Sequence, residues 1–120
     1  MKWGHIDEVE SSQKLLYWVL MFVLAPYFDD PVDHWLKDII THGGGLGGDP
    51  GWEIEHIPEL GGAGSYRVWA DPDMSGIKPA DIIYSAKAVH HAVQESLLAL
   101  GDSCPEKADE VKAVAQRYKL

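Results

Sequence analysis

The chain has 120 residues, of which 46% are hydrophobic and 24% are charged, and its net charge is −9 at pH 7. This length and composition are typical of one folded domain with one hydrophobic core, and they exclude a largely disordered chain. We therefore treat residues 1–120 as a single domain. The one cysteine, Cys104, excludes an internal disulfide and a metal site built from several thiolates.

The apolar segments predict a protein that does not contact a membrane. The longest apolar run, Leu15 to Ala25, has eleven residues, whereas a membrane-spanning helix needs about 20. The run starts behind acidic residues, which is unlike a signal peptide. Because a lone cysteine also fits a reducing compartment, we expect a cytoplasmic location.

The negative charge is concentrated in the middle of the chain. Between Asp29 and Asp81 lie eleven acidic and three basic residues, a balance of −8. Such a concentration of one sign repels nucleic acid and anionic lipid and attracts basic surfaces. The sequence therefore argues against direct DNA or RNA binding. It predicts either an acidic surface for a basic partner or a surface that only keeps the protein in solution.

The first half of the chain predicts two helices. From Glu8 to Ala25, apolar residues recur at helical spacing, and Pro26 is expected to end this almost wholly buried helix. The segment Pro31 to His42 fits a second helix. Asp30 is its expected N-cap and Gly43 its expected C-terminal stop.

The middle of the chain predicts antiparallel strands. The segments Trp52 to Ile57 and Tyr66 to Ala70 alternate with a period of two, as half-buried strands do. The segment Pro58 to Ser65 between them is expected to be a loop. After a turn over Asp71 to Pro79, Asp81 to Tyr84 is short and apolar enough for a third strand.

Two further helices are predicted at the C-terminal end. Ser85 is the expected N-cap of a helix that runs to about Leu100, and Gly101 is its expected stop. Pro105 is expected to open the last helix. The buried stripe of that helix is expected to contain Ala108, Val111, Ala115 and Tyr118. The element order ααββ(β)αα predicts an α+β fold, with helices packed over a small antiparallel sheet.

A glycine-rich stretch follows the predicted second helix. It reads HGGGLGGDPGWEIEHIPELGGAG and holds nine of the twelve glycines. Gly43, Gly45 and Gly48 fit G-x-G-x-x-G, but a dinucleotide site requires a strand before this motif and a helix after it. The HGGG segment copies an esterase oxyanion loop, yet no serine stands in G-x-S-x-G. We therefore interpret the stretch as a mobile acidic connection around the strand WEIEHIPE, and we expect no cofactor.

Two pairs of residues on the predicted second helix have the i, i+4 spacing at which two side chains can share a metal ion. Asp30 stands before His34, and Asp38 before His42. No third ligand is evident, and a solvated face with weak ion pairs is the more frequent meaning of this pattern. We expect no bound metal. The alternative is a small metal-dependent or acid–base enzyme that uses His34, Asp38 and His42.

The other reactive side chains are assigned structural roles. His90 and His91 are adjacent in a predicted helix, so their side chains point about 100° apart and cannot readily hold one metal ion together. One of them is expected to pack and the other to be exposed. Cys104 stands at a helix start, where the pKa of a thiol can fall, but it lacks a catalytic context.

Strand alternation predicts a candidate interaction surface. If Trp52 faces the core, then Glu53 and Glu55 face outward. If Tyr66 faces the core, Trp69 faces outward too, whereas the opposite register would bury Trp69. Carboxylates around an aromatic anchor are typical of protein interfaces. The predicted partner-binding residues are Asp29, Asp30, Asp33, Asp49, Glu53, Glu55, Glu59, Trp69, Asp71 and Asp73.

The C-terminal third, DIIYSAKAVHHAVQESLLALGDSCPEKADEVKAVAQRYKL, has a Tyr-Ser strand-to-helix junction followed by a Pro-Glu helix start. In these features it resembles small bacterial immunity proteins that neutralise polymorphic toxins, including those of contact-dependent growth inhibition. The resemblance implies a cytosolic, non-enzymatic protein that occludes a cognate toxin domain, often a nuclease with a basic cleft. The carboxylates would then stand where nucleic-acid phosphate otherwise binds. The alternatives are the enzyme described above and an accessory interaction protein without a toxin.

Overall fold

The described part of the chain forms an antiparallel sheet with helices packed on one face. The computed structural model describes residues 6–24, 36, 45–48, 51–59 and 62–118. The helices are α1 (Lys14–Val23), α2 (Pro72–Ser75), α3 (Ala86–Ser103) and α4 (Ala108–Arg117). The strands are β1 (Gly45–Gly48), β2 (Trp52–Glu59), β3 (Gly62–Ala70) and β4 (Asp81–Ser85). They lie in the order β1-β2-β3-β4, and all neighbours are antiparallel, which confirms the predicted α+β class.

Helix α1 supplies the centre of the hydrophobic core and confirms the first predicted helix, although the predicted start at Glu8 is wrong. It begins at Lys14, after single 3₁₀ turns at Ile6–Glu8 and Ser11–Gln13, and the amide of Leu24 closes it by donating to the carbonyl of Leu20. The expected terminator, Pro26, lies outside the described residues. The buried side chains of α1 are Leu15, Leu16, Tyr17, Val19, Leu20 and Val23. Burial of each leucine stabilises the fold by about 2 kcal/mol.

Two tyrosines and an aromatic stack join α1 to the rest of the fold. The Tyr17 hydroxyl donates to Glu95 Oε2 on α3 at 2.9 Å. The hydroxyl of Tyr84 on β4 donates to the carbonyl oxygen of Ser12 at 2.7 Å. On the other side of α1, the ring of Phe22 stacks on that of Trp52 in β2, with centroids 6.2 Å apart. These contacts hold α1 against both α3 and the sheet.

The predicted second helix, Pro31 to His42, lies outside the described residues apart from one position. Leu36 is helical and fully buried within the core. The bounds of this helix remain a prediction.

The hairpin of β2 and β3 is longer than predicted. Trp52 lies opposite Ala70 at one end and Glu59 opposite Gly62 at the other, with a register shift between Ile57 and Glu59. The expected loop over Pro58 to Ser65 is therefore wrong for most of its length. Gly62 has a weak intrinsic strand preference, but its pairing with Glu59 of β2 overrides that preference.

Strand β1 corrects the interpretation of the glycine-rich stretch as a mobile connection. Gly45 pairs with Glu55, and Gly48 pairs with Trp52, in an unbroken antiparallel register. A period of two is invisible in the segment GLGG, because glycine has no side chain to mark the two faces. The ladder with β2 makes this segment a strand.

The C-terminal helices confirm one predicted boundary and correct another. The Ser85 hydroxyl accepts a hydrogen bond from the amide of Ala88 at 3.1 Å, as expected of the N-cap of α3. Gly101 does not stop this helix, which runs to Ser103. A methyl group at Gly101 would lie 3.6 Å from Cγ1 of Val111, which is an ordinary van der Waals contact, so this position of α3 faces α4.

The buried side of α4 differs in part from the predicted stripe. Val111 and Val114 are its buried residues, and Val114 was not among the expected ones. The expected stripe residues Ala108, Ala115 and Tyr118 are only half-buried. The helix is ten residues long and meets α3 near its middle, so its ends stay partly in solvent.

Two glycines with left-handed backbone conformations differ in their surroundings. Gly64 has a φ of 81° and Gly76 a φ of 68°. A methyl group at Gly64 would clash with the carbonyl oxygen of Ile57 across the hairpin. Among the described residues, nothing lies within 4 Å of such a group at Gly76. The two positions therefore share a backbone constraint but not a steric one.

We expect Gly64→Ala to destabilise the protein more than Gly76→Ala. Each substitution costs about 1 kcal/mol because an L-residue is unfavourable in the left-handed region. At Gly64 the methyl group must also displace the β2 backbone, which adds about 1–3 kcal/mol. Urea unfolding of both variants measures the difference. Equal losses of unfolding free energy would contradict the close approach at Gly64.

Candidate interaction surface

The sheet has an inward face covered by helices and an outward face that carries the candidate site. The inward residues of β2 and β3 are buried, namely Trp52, Ile54, Tyr66, Val68 and Ala70. The residues that alternate with these inward ones form the outward face, which consists of Glu53, Glu55, Ile57, Ser65, Arg67, Trp69, Asp81, Ile83 and Ser85. This register confirms the predicted alternation. The opposite register is wrong, because Trp69 is partly exposed on the outward face.

Two rows of cross-strand neighbours organise this face. In the first row, Glu53 lies between Gly47 of β1 and Trp69 of β3, and Trp69 pairs in turn with Asp81 of β4. Glu53 thus has a glycine on one side and a large aromatic side chain on the other.

The second row places Glu55 between Gly45 and Arg67, and Arg67 pairs with Ile83. Directly opposed residues on one face have Cβ atoms about 5 Å apart, so these side chains can interact. The outward face therefore presents carboxylate, aromatic, guanidinium and aliphatic groups as close neighbours.

The charge of the outward face depends on an ion pair between β3 and β4. Arg67 Nε donates to Asp81 Oδ2 at 3.0 Å, and Arg67 Nη2 donates to the same oxygen. The hydrogen bond and charge of Asp81, followed by the charges of Glu53 and Glu55, raise the pKa of Arg67. The outward face holds three carboxylates, those of Glu53, Glu55 and Asp81, and one guanidinium, that of Arg67. It therefore has an excess of two negative charges.

Apolar side chains accompany this charge. Ile83 is 62% exposed and Ile57 is 37% exposed, and Trp69 is partly exposed between strands β2 and β4. Exposed large apolar groups among polar ones are typical of surfaces that contact another protein. Aromatic residues supply much of the binding energy of such surfaces.

The structure brings together only some of the predicted partner-binding residues. Glu53, Glu55 and Trp69 share the outward face. Glu59 lies in β2, but its side chain is outside the described residues, as are all of Asp29, Asp30, Asp33 and Asp49. The roles of these five acidic residues remain predictions.

Asp71 and Asp73 lie beyond the end of β3, in a segment expected to be a turn. Asp71 Oδ1 accepts a hydrogen bond from the amide of Asp73 at 2.9 Å and thereby caps the short helix α2. Asp71 thus has a structural role in addition to its predicted one. The side chain of Asp73 is exposed.

Of the nine residues on the outward face, sequence reasoning assigned only Glu53, Glu55 and Trp69 to the partner surface. Asp81 and Ile83 were not assigned to it, although they alternate with half-buried and buried residues of β4. The period of two in Asp-Ile-Ile-Tyr was the available signal. It was weak because Ile82 and Ile83 are both apolar while facing opposite sides of the sheet.

The residues of the alternative metal site, His34, Asp38 and His42, lie outside the described residues. Within the described ranges, no group of three His, Cys, Asp or Glu side chains is arranged to hold a metal ion. The helices that the structure describes include none that is both long and apolar enough to cross a bilayer.

Comparisons of this chain with protein-family models, curated proteins and solved structures found no match. The resemblance of the C-terminal third to immunity proteins stays a prediction.

The adjacent histidines on α3 behave as expected. His90 is half-buried, and its ring centroid lies 6.4 Å from that of Tyr66 on the inward side of the sheet. His91 is exposed, with Nε2 at 3.2 Å from Glu95 Oε1. Burial, and secondly the nearby His56, lowers the pKa of His90. The folded protein therefore favours neutral His90.

We expect the stability to fall as the pH drops below about 6.5, the ordinary pKa of histidine in an unfolded chain. Below that pH the unfolded chain binds a proton that His90 in the folded protein resists, so protonation favours unfolding. His90→Gln should reduce this loss of unfolding free energy between about pH 7 and 5.5. Urea unfolding of the unsubstituted protein and of His90→Gln across this range measures the difference. An unchanged pH dependence in His90→Gln would contradict the assignment.

Proposed function

We propose that this protein is a binding inhibitor whose outward face contacts a basic surface of a partner protein. The observation that carries the proposal is the excess of negative charge at Glu53 and Glu55 beside the partly exposed Trp69. Carboxylates attract a basic partner over a distance of about a Debye length. The aromatic and aliphatic side chains supply contact area once the two surfaces meet.

The arrangement of the face suits inhibition. The carboxylates stand on a paired sheet strand, so little conformational freedom is lost when a partner binds. Arg67 donates two hydrogen bonds to Asp81, so its guanidinium is engaged on the side of β4. A cationic cleft that binds phosphate would accept such a preorganised row of carboxylates in its place.

The more specific form of the proposal is a bacterial immunity protein that neutralises a cognate toxin domain in the cytoplasm. The resemblance of the C-terminal third to such proteins supports it, as does the concentration of acidic residues between Asp29 and Asp81. The toxin would be a nuclease with a basic cleft. The chain would act by binding alone, without catalysis, cofactor or metal.

A genetic experiment tests the immunity form. The toxin-domain reading frame immediately upstream of this gene is expressed in bacteria with and without this chain. We expect this chain to restore growth and to co-purify with the toxin domain as a tight complex. If no such reading frame adjoins the gene, or if growth is not restored, the immunity form is wrong.

We expect the double substitution Glu53→Gln and Glu55→Gln to slow association with that toxin domain about tenfold at low ionic strength, because charge pairs mainly set the association rate. The difference should shrink as salt shortens the Debye length from about 10 Å at 0.1 M to about 3 Å at 1 M. Stopped-flow mixing over a series of salt concentrations measures the rates.

The matched control also removes two negative charges, but from another part of the surface. Asp102 and Glu106 are exposed at the junction of α3 and α4, away from the outward face. The double substitution Asp102→Asn and Glu106→Gln should change the association rate much less. Equal slowing by both pairs would show that total charge, and not the outward face, steers the partner. Rates that do not respond to salt would contradict electrostatic attraction altogether.

A further inference from the structure

The free edge of β4 offers a second kind of contact, made by the backbone. In the described sheet β4 is an outermost strand, and it pairs with β3 alone. In antiparallel pairs, residues that exchange hydrogen bonds alternate with residues that do not. The amide of Ala70 donates to the carbonyl oxygen of Ala80 at 2.9 Å, which identifies this pair as a bonded one.

The alternation then assigns each backbone group of β4. Ile82 and Tyr84 stand two and four residues after Ala80, so their amides and carbonyls point toward β3. Asp81 and Ile83 fall between them, so their amides and carbonyls point away from β3 to the free edge. The same holds for the amide of Ser85. The side chains of Asp81, Ile83 and Ser85 also belong to the outward face.

Strand β4 carries none of three features that commonly prevent pairing at a sheet edge, namely a lysine, a proline and a bulge. The sequence of β4 is DIIYS, and its register with β3 is regular from Ser85 to Asp81. Ile83, in its centre, is the most exposed of the large hydrophobic residues in the described chain.

Charge decides between a second copy of this chain and a different partner. Two copies joined at β4 would bring together two chains with a net charge of −9 each. A strand with lysine or arginine would instead meet the excess negative charge of the outward face. Both bonds from Arg67 go to Oδ2 of Asp81, so Oδ1 of the same carboxylate can accept from an incoming cation.

We propose that β4 pairs with an extended strand of the basic partner, which continues the sheet, places lysine or arginine beside Asp81, and packs an apolar side chain on Ile83. This inference rests on the proposed function, because it names the segment with which the same partner binds. Backbone pairing supplies affinity, and the side chains opposite Asp81 and Ile83 supply specificity.

The first test uses a synthetic peptide with blocked ends that repeats Lys-Thr-Val-Thr, so that lysine and valine alternate along one face of the strand, as Asp81 and Ile83 do. In NMR titrations of the whole protein, we expect binding of this lysine–valine peptide to shift and protect the amides of Ile83 and Ser85. The same peptide with glutamate in place of lysine, and an N-methylated lysine–valine peptide, should bind at least about tenfold more weakly, since they lack the charge or the donors. Shifts centred on other residues, or no shifts, would overturn the inference.

Hydrogen exchange in the free protein tests the edge itself. The amide of Ile83 should exchange fast, whereas those of Ile82 and Tyr84 should be protected by their bonds to β3. Protection of Ile83 that rises with protein concentration would mean that a second copy covers β4. That result would overturn the inference in favour of self-association.

The second test is Ile83→Pro, with Ile83→Thr as its control. Proline removes the amide that points to the free edge but no bond to β3, so the fold should persist. We expect Ile83→Pro to weaken binding of the toxin domain and of the lysine–valine peptide about tenfold, and Ile83→Thr to weaken it less. Circular dichroism checks that both variants fold.

The two proposals fail in different ways. If Glu53→Gln with Glu55→Gln slows toxin association while Ile83→Pro binds normally, the edge inference is wrong and the proposed function stands. If neither change affects the toxin domain but the lysine–valine peptide still pairs with β4, the outward face is not the inhibitory surface and the edge is a separate site.

Discussion

The packing of α1 and α3 against one face of the sheet constrains the rest of this structure. The inward residues of β2 and β3 meet a helix, α1, whose buried positions are all large and apolar. A hydrogen bond from Tyr17 to Glu95 ties the two helices together above the sheet. Because side chains alternate along a strand, every residue between two inward positions must face outward. A shift of the β2 register by one residue would bury Glu53 and Glu55 and expose Ile54.

The outward face therefore owes its composition to the core. Glu53, Glu55 and Trp69 are held in place because Trp52, Ile54 and the inward residues of β3 are buried behind them. The ion pair of Arg67 with Asp81 connects β3 to β4 on this face. An exposed ion pair of this kind adds little stability by itself, but it fixes where the positive charge lies. The two carboxylates on β2 consequently keep their negative field.

Gly47, the neighbour of Glu53 on β1, has little room for a side chain. Gly47 pairs with Glu53, and a methyl group at Gly47 would lie 3.1 Å from the carbonyl oxygen of Trp52 and 3.6 Å from Cγ of Glu53. The backbone of Trp52 thus limits a side chain at Gly47, whereas the stem of Glu53 would lie in ordinary van der Waals contact with it. The bare strand leaves the carboxylates of β2 accessible from the side of β1. The phosphate-binding and oxyanion motifs that the glycines imitate have no part in this arrangement.

Much of the fold was predictable because its elements carry strong local signals. The apolar spacing in α1, the period of two in β2 and β3, and the cap at Ser85 each follow from side-chain chemistry at short range. The prediction was wrong where the local signal is a glycine. Gly45–Gly48 is a strand, and Gly101 lies within a helix, because neighbours distant in sequence supply the partner strand or the packed helix. Asp71 was assigned to the partner surface although its carboxylate caps α2, a bond that depends on the local backbone conformation.

The sequence by itself determined the kinds of elements, the alternation of Glu53 and Glu55 with apolar residues, and the acidic middle of the chain. These properties depend on residue type and on spacing within one segment. Only the tertiary structure decided that Trp69 stays partly exposed, that Arg67 turns to Asp81, and that β4 lies at an edge with Ile83 exposed. Those facts depend on which strands become neighbours. Strand neighbours are chosen by burying a shared core and by satisfying backbone hydrogen bonds across long separations in sequence.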